Sequence, residues 1–169
     1  MIFETERLLV RHYTMDDAED FYLLNSDPEV MKYIRAPKTR QQALQFLREN
    51  IDYYLEFPLY GRWALIEKKD NHFAGSFMLR PSVAVKGKIE LGYALFKNYW
   101  GKGFATEATK GGIDYAFAKL KLHDLIAITQ TENISSKQVL VKCGFRQLDD
   151  LQETDRIVNL FAIESPRHD

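Results

Sequence analysis

Cysteine is almost missing from this chain of 169 residues, and its scarcity excludes two kinds of site. Cys143 is the single cysteine, so an internal disulfide and a zinc site built from several cysteines are impossible. The residue lies inside the pattern VLVKCGF, where we expect it to act as a small filler of the core.

Histidine is also sparse, and charge of one sign is not in excess. The four histidines have neither the paired spacing of a zinc site nor that of a catalytic triad, so we assign no metal and no catalytic histidine: His12, His72, His123 and His168. Lysine and arginine number 23 against 24 acidic residues, which gives a net charge of -1. The chain therefore lacks the basic field of a nucleic-acid-binding protein.

Long hydrophobic runs and linker segments are absent as well. No stretch has the length of a membrane span, and the opening MIFETERLL has no apolar core of signal length, so we expect a cytoplasmic protein without a membrane partner. No repeat or Pro/Gly/Ser-rich linker divides the chain, and its hydrophobic content of 46% is enough for a substantial core. A single domain over residues 1–169 is the simplest organisation, either as a monomer or as a homodimer.

Hydrophobic periodicity predicts strands that are separated by helices. The strands fall at 7–12, 63–67, 74–80, 89–96, 125–129, 145–148 and 157–163. Four helices are expected, with Thr14 and Thr39 as N-terminal caps of the first two and Pro58 ending the second. The second helix should bury one apolar face: Ala43, Leu44, Phe46, Leu47, Ile51, Tyr54 and Leu55. This order of elements indicates an α/β fold, a mixed sheet with helices on both faces.

The segment YWGKGFATEA, which follows the strand-like run IELGYALF, has the form of a phosphate-binding loop. Gly101 and Gly103 can take backbone angles that other residues avoid, so successive amides can point into one concavity at the start of a helix. Two glycines can also serve only as a tight strand-to-helix connection. A nucleotide loop of the Walker type is a weaker alternative, because no Lys-Ser/Thr pair follows the second glycine.

Three segments together resemble the GNAT superfamily of N-acetyltransferases. IELGYALFKNYWGKGFATEA and TENISSKQVLVKCGF resemble its acetyl-CoA-binding core, and TERLLVRHYTMDDAEDFYLL resembles the start of its RimJ/RimL-type branch. The resemblance implies the GNAT fold, a central, mostly antiparallel twisted sheet whose middle strands splay apart. Trp100 departs from the Gln or Arg that usually opens the family's pyrophosphate loop.

The resemblance also implies a set of residues that bind acetyl-CoA. The loop would hold the pyrophosphate, the end of the preceding strand would pair with the pantetheine arm, and residues after the second splayed strand would bind from the other side: Leu95, Phe96, Gly101, Lys102, Gly103, Phe104, Ala105, Thr106, Asn133 and Ser136. A backbone amide near Leu95 or Phe96 would meet the oxyanion.

Acetylation of an amine requires a base for the amine and a proton donor for the departing thiolate. Glu90 is the candidate base, because a carboxylate in a mostly apolar strand is costly unless it faces a polar cleft. Glu153 and Asp155 are rival bases if their acidic loop folds over the cleft. The tyrosine that many family members use as the acid is replaced by Leu140, which leaves Ser136 as the nearest donor, although it can equally be a helix cap.

The expected function is therefore transfer of acetyl from acetyl-CoA to a primary amine by direct attack. The acceptor is a protein N-terminal α-amine or a small-molecule amine, and Tyr33, Tyr60 and Trp63 belong to the region that would wall its site, although a core position is favoured for them. The alternative is a CoA-binding sensor or assembly module without turnover. Cys143 has no neighbouring histidine, which argues against a covalent enzyme intermediate.

Overall fold

The computed structural model describes residues 1–153 and 156–166, which form one mixed sheet with helices on both faces. Its strands are β1 (Phe3–Glu4), β2 (Leu8–Arg11), β3 (Gly61–Glu67), β4 (His72–Pro81), β5 (Ile89–Leu95), β6 (Asp124–Gln130), β7 (Arg146–Gln147), β8 (Leu151–Gln152) and β9 (Ile157–Glu164). Their order is β1-β2-β3-β4-β5-β6-β9-β7, and β8 pairs with β9. Only β5 and β6 are parallel neighbours within the described ranges, so the predicted mostly antiparallel sheet is confirmed.

The described residues form five α-helices, one more than the sequence predicts. They are α1 (Ala18–Ser26), α2 (Pro28–Met31), α3 (Arg40–Glu56), α4 (Phe104–Asp114) and α5 (Ile134–Lys142). The unexpected helix is α2, which the Asp27-Pro28 pair could have indicated: the Asp27 carboxylate accepts from the N–H of Glu29, and proline suits the first helical turn. No helix in these ranges is long and apolar enough to cross a bilayer.

Helix α3 begins and ends where its local signals predict. Thr39 Oγ1 accepts from the N–H of Gln42, whose side chain accepts in return from the N–H of Thr39, and the helix stops just before Pro58. The prediction for Leu55 is wrong, because this side chain is 87% exposed at the last turn, beyond the edge of the sheet-facing stripe.

Close packing fixes helix α4 against the sheet. A Cβ atom at Gly112 would lie 2.2 Å from Cζ of Phe77 on β4, so only glycine allows this approach. After Asp114 the helix widens into a π turn over Tyr115–Lys119. The N-terminus of α4 is thereby held at the end of β5.

The middle of the sheet is open. Strands β4 and β5 pair at seven positions and β6 and β9 at seven, whereas β5 and β6 pair only at Glu90 and Ile126 within the described ranges. Beyond that point the two parallel strands diverge toward their carboxyl ends, which confirms the predicted splay. The gap leads to the glycine loop on one side and to the start of α5 on the other.

Candidate functional site

A cavity of about 470 Å³, here called the glycine-loop cavity, lies between the N-terminus of α4 and helix α5. Gly101 has φ 70° and Gly103 has φ 81°, the left-handed conformations that the sequence predicts. Gly103 is the N-cap of α4 and has no side chain to bond the first-turn amides. Those N–H groups and the positive end of the helix dipole therefore make a site for an anion such as a diphosphate.

Eight of the ten residues predicted to bind the cofactor line the glycine-loop cavity: Leu95, Gly101, Gly103, Phe104, Ala105, Thr106, Asn133 and Ser136. Phe96 lies outside this lining. Its N–H donates to the Ala74 carbonyl at 3.0 Å, and its carbonyl accepts from the N–H of Tyr99. The Phe96 amide is therefore engaged within the protein and is not offered to an oxyanion. Lys102 is exposed and also lies outside the lining.

Two side chains hold the glycine loop in place. Trp100 Nε1 donates to the Leu95 carbonyl at 2.9 Å, so the residue that departs from the family pattern fastens the loop to β5. Arg7 donates through Nη1 to the Lys102 carbonyl at 3.0 Å, and its guanidinium lies 4.1 Å from the centre of the Phe104 ring.

Arg7 is itself fixed by Glu107 in the first turn of α4. Its Nε donates to Glu107 at 2.6 Å and its backbone N–H donates to the same carboxylate at 2.7 Å. Burial raises the pKa of Glu107, but hydrogen bonds from Thr5 and Arg7 outweigh burial and hold the pKa below its ordinary value. The carboxylate stays charged and ties the turn between β1 and β2 to the glycine loop.

A second cavity of about 380 Å³, here called the arginine cleft, lies on the opposite face of the sheet. Register explains its lining: Arg62 pairs with Met78 and Met78 with Gly92, while Arg80 lies opposite Glu90. Alternate residues of β3, β4 and β5 therefore share this face. The arginine cleft and the glycine-loop cavity meet at shared residues: Tyr33, Ile34, Tyr93, Ala94, Asn133 and Ser136.

Glu90 is half-buried in the arginine cleft, the polar surroundings that its position in a mostly apolar strand predicts. Burial raises the pKa of Glu90, and the Ser82 hydroxyl, which donates to it at 2.8 Å, opposes this effect only in part. A carboxylate with a raised pKa in a cleft is suited to general-base work. Glu153 also lines the cleft but is paired with Arg156 at 2.7 Å, and Asp155 lies outside the described residues.

Helix α5 brings Asn133 and Ser136 to the point where the two cavities meet. Asn133 is the N-cap of α5, and its Oδ1 accepts from the N–H of Ser136 at 3.2 Å. The Ser136 hydroxyl lies 3.3 Å from the Tyr93 hydroxyl. Burial raises the pKa of Tyr93 to about 12, so this phenol keeps its proton at neutral pH and can donate a hydrogen bond.

Sequence reasoning missed Tyr93 and the cleft arginines Arg35, Arg62 and Arg80. Nothing in the sequence singles out Tyr93 within its mostly apolar strand, and only the fold brings its hydroxyl to 3.3 Å from the Ser136 hydroxyl. The sequence alone shows that four residues alternate with apolar neighbours: Arg62, Ser76, Met78 and Arg80. Only the register of the strands places them on one face of the sheet. Tyr33 does line the cleft, whereas Trp63 is fully buried in the core.

One group of possible metal ligands lies at the β3–β4 hairpin. Ligand atoms of Glu67, Asp70 and His72 lie within 4.8 Å of one another, although the sequence separation of the histidines predicts no metal site. The Glu67 carboxylate already accepts from the Tyr99 hydroxyl at 3.0 Å, and His72 and Asp70 are exposed. Nothing else at this hairpin indicates a bound cation.

Comparison with known proteins identifies related domains. Residues 7–146 match the family model described as acetyltransferase (GNAT) domain. An uncharacterized N-acetyltransferase, p20 of Bacillus licheniformis, is 34% identical over 154 residues, which cover 90% of this chain and 86% of that protein.

Solved structures share the whole fold. An acetyltransferase of the GNAT family from Bacillus anthracis superposes with a TM-score of 0.84 at 27% identity, covering 97% of this chain and 98% of the other. RimL, a ribosomal L7/L12 α-N-protein acetyltransferase in complex with coenzyme A, superposes with a TM-score of 0.82 over 96% of this chain and 97% of its own. Its identity of 13% makes that likeness one of fold alone.

Proposed function

Since the chain belongs to the GNAT family of acetyl-CoA-dependent N-acetyltransferases, we propose that it acetylates a primary amine that binds in the arginine cleft and attacks the thioester directly. The observation that carries this proposal is the junction of the two cavities at Tyr93, Asn133 and Ser136. An amine in one cavity and a thioester in the other can meet there without a covalent enzyme intermediate. Cys143, half-buried and with a pKa raised by burial, is not an activated nucleophile.

The glycine-loop cavity fits the donor. Open first-turn amides, two glycines at positive φ and a gap between β5 and β6 suit a diphosphate that leads into an extended arm. The eight lining residues named above would hold it, without the side chains of Phe96 and Lys102. When bound, acetyl-CoA supplies the acetyl group as an activated thioester.

Glu90 and the Tyr93–Ser136 pair supply the proton chemistry in this proposal. Glu90 takes the proton that the acceptor nitrogen must lose, directly or through water. Its pKa is raised toward the pKa of the amine, which makes this proton transfer less unfavourable. The Tyr93 and Ser136 hydroxyls donate hydrogen bonds where the thiolate departs. A thiol is a stronger acid than a phenol, so these groups stabilise the thiolate and solvent completes its protonation.

The acceptor class and the branch of the family are part of the proposal. The opening TERLLVRHYTMDDAEDFYLL, which resembles the start of the RimJ/RimL-type branch, supports a place in that branch. A protein N-terminal α-amine and a small-molecule amine are both consistent with a cleft of about 380 Å³. We further propose a cytoplasmic enzyme that acts as a monomer or homodimer without a metal.

Thermal unfolding with and without acetyl-CoA, followed by thiol release in the presence of amines, tests this function. A ligand that binds the folded protein raises its unfolding midpoint, and release of CoA with an amine reports the transfer. Stabilisation together with release is expected. Stabilisation without release across peptide, small-molecule and polyamine acceptors would favour the CoA-binding module, and no stabilisation at saturating acetyl-CoA would contradict the assignment of the cavity.

A further inference from the structure

The arginine cleft carries an excess of positive charge. Its charged lining, in the part of the chain that the structure describes, comprises four arginines and two glutamates: Arg35, Arg62, Arg80, Arg156, Glu90 and Glu153. Arg156 and Glu153 pair with each other. Glu90 accepts from Ser82 and, although Arg80 lies opposite it in the sheet, the two form no salt bridge.

Within residues 1–153 and 156–166, the three remaining guanidinium groups form no hydrogen bond or salt bridge with a carboxylate. Arg35 donates to the amide oxygen of Asn25 at 2.9 Å, and Arg62 contacts the sulfur of Met78 at 3.3 Å. The buried Nε of Arg62 has no partner among the described residues. Arg80 lies over the ring of Tyr53, with its Cζ 5.6 Å from the ring centre. These are neutral contacts, which orient the cations, and the single carboxylate of Glu90 offsets the charges of Arg62 and Arg80 only in part.

Aromatic packing on α3 holds two of these cations together. The Phe46 ring centre lies 5.1 Å from Cζ of Arg35 and 5.5 Å from Cζ of Arg62. Burial, with the neighbouring charges of Arg35 and Arg80, lowers the pKa of Arg62 to about 10. Like charges gathered in a partly buried cleft cost free energy, and a bound anion removes that cost.

We infer that the arginine cleft binds an anionic group of the acceptor. The acceptor is then a small molecule that carries both a primary amine and a carboxylate or a phosphate-type oxyanion. This inference rests on the proposed function, because it names the acceptor class of the same site. Guanidinium groups present paired N–H donors that match the oxygens of carboxylate and phosphate. The cleft volume suits a small molecule, and Glu90 in the same cleft would receive the amine end.

Matched amines test the inference directly. Thiol release is measured for amino acids against their carboxamides, for phosphoethanolamine against ethanolamine, for spermidine, and for short peptides with acidic N-termini. We expect kcat/KM to be about 10-fold or more higher for the anionic member of a pair, since one charge-assisted contact gives about that factor. The two matched series distinguish carboxylate from phosphate.

Arginine variants locate the effect in the cleft. In Arg80→Gln and Arg35→Gln we expect KM for the anionic acceptor to rise about 10-fold and KM for its neutral partner to stay within about 2-fold. Arg62→Gln should do the same if it folds, and the half-exposed Arg80 keeps the test valid if it does not. Arg40→Gln is the matched control, because Arg40 pairs with Glu19 outside both cavities.

The outcomes separate this inference from the proposed function. Acetylation of spermidine or of neutral amines in preference to their anionic partners would overturn the inference alone, as would equal losses for both members of a pair in the variants. Acetylation confined to the peptides would overturn the small-molecule class. Failure of acetyl-CoA to stabilise the protein, with no thiol release from any amine, would instead overturn the proposed function.

Discussion

The glycine-loop cavity and the arginine cleft meet at Tyr93, Asn133 and Ser136, yet they are built from different parts of the protein. The glycine-loop cavity is lined by uncharged residues, apart from Lys142, from three segments within the described ranges, around residues 30–34, 93–106 and 133–142, and its anion site is made of backbone amides. The arginine cleft is lined by charged side chains from β3, β4, β5, the segment after α2 and the chain before β9.

Because of this difference, the two cavities should tolerate different amino-acid substitutions. A site made of amides depends on backbone angles, so it fails when a glycine gains a side chain and is indifferent to most exposed side chains nearby. A site made of side chains keeps its shape when one of them is changed but loses one specific interaction. The following predictions test that contrast, from the largest expected effect to the smallest.

The largest effect is expected from Gly103→Glu. The substitution forces a side chain into φ 81° and sets a carboxylate beside the amides that would hold a diphosphate. Acetyl-CoA affinity should fall by about 100-fold or more, measured by calorimetry or by the ligand-induced shift in unfolding midpoint. Gly87→Glu is the control: it imposes the same strain at φ 80° on an exposed turn and should leave affinity unchanged. If both variants lose acetyl-CoA affinity equally, backbone strain explains the loss and the glycine loop is not the diphosphate site.

Glu90→Gln should lower kcat by about 100-fold and leave acetyl-CoA binding intact, because a general base typically contributes about that much. The pKa of Glu90 is raised, and the ionised form is the active one, so wild-type kcat/KM should rise with pH through a limb above the usual carboxyl range. That limb should vanish in the variant. If the pH profile is unchanged, the base is Glu153, Asp155 or water.

Tyr93→Phe and Ser136→Ala should each lower kcat by about 10-fold, the loss expected for one hydrogen bond to a developing charge. Because their hydroxyls contact each other at 3.3 Å, the double variant should cost less than the product of the single effects. Pre-steady-state thiol release would show the loss in the chemical step. Independent, multiplicative effects would mean that the two hydroxyls do not act as a pair.

Arg7→Lys should raise the dissociation constant of acetyl-CoA by only a few-fold, because it loosens the loop without touching its amides.

The ionised Glu107 beside Arg7 has a lowered pKa, so the contribution of Glu107 to stability is full above its unfolded-state pKa and is lost as pH falls through its folded-state pKa. Urea unfolding at a series of acidic pH values should show that loss in the wild type and a smaller one in Arg7→Lys. The exposed pair of Arg40 and Glu19 gives the control, Arg40→Lys, for which no change in affinity is expected.

The sequence allowed prediction of the glycine-loop cavity because its determinants are local. Gly101, Gly103 and Asn133 act through turns and helix ends within a few residues of themselves, so a linear pattern carries them. Phe96 was different, because its amide is used by Ala74 on the neighbouring strand, a contact that only the register of β4 and β5 decides.

The arginine cleft could not be predicted in the same way. Arg35, Arg62 and Arg80 lie in three separate elements, and each alone has the pattern of a surface cation. Their juxtaposition follows from the pairing of Arg62 with Met78 on β4 and from the position of Phe46 on α3, both long-range features. Glu90 was predictable because a carboxylate within an apolar strand is unusual on its own.

The single paired position between β5 and β6 has a further consequence for motion. Seven-position ladders on either side make β4–β5 and β6–β9 two well-bonded blocks, whereas little backbone hydrogen bonding connects the blocks to each other. Native-state hydrogen exchange should therefore show two groups of slowly exchanging amides with separate opening free energies. A pantetheine arm between β5 and β6 would form hydrogen bonds with both strands. Acetyl-CoA should therefore merge the two groups of slowly exchanging amides into one group with a common opening free energy. Binding of the donor would in this way make the sheet a single cooperative unit.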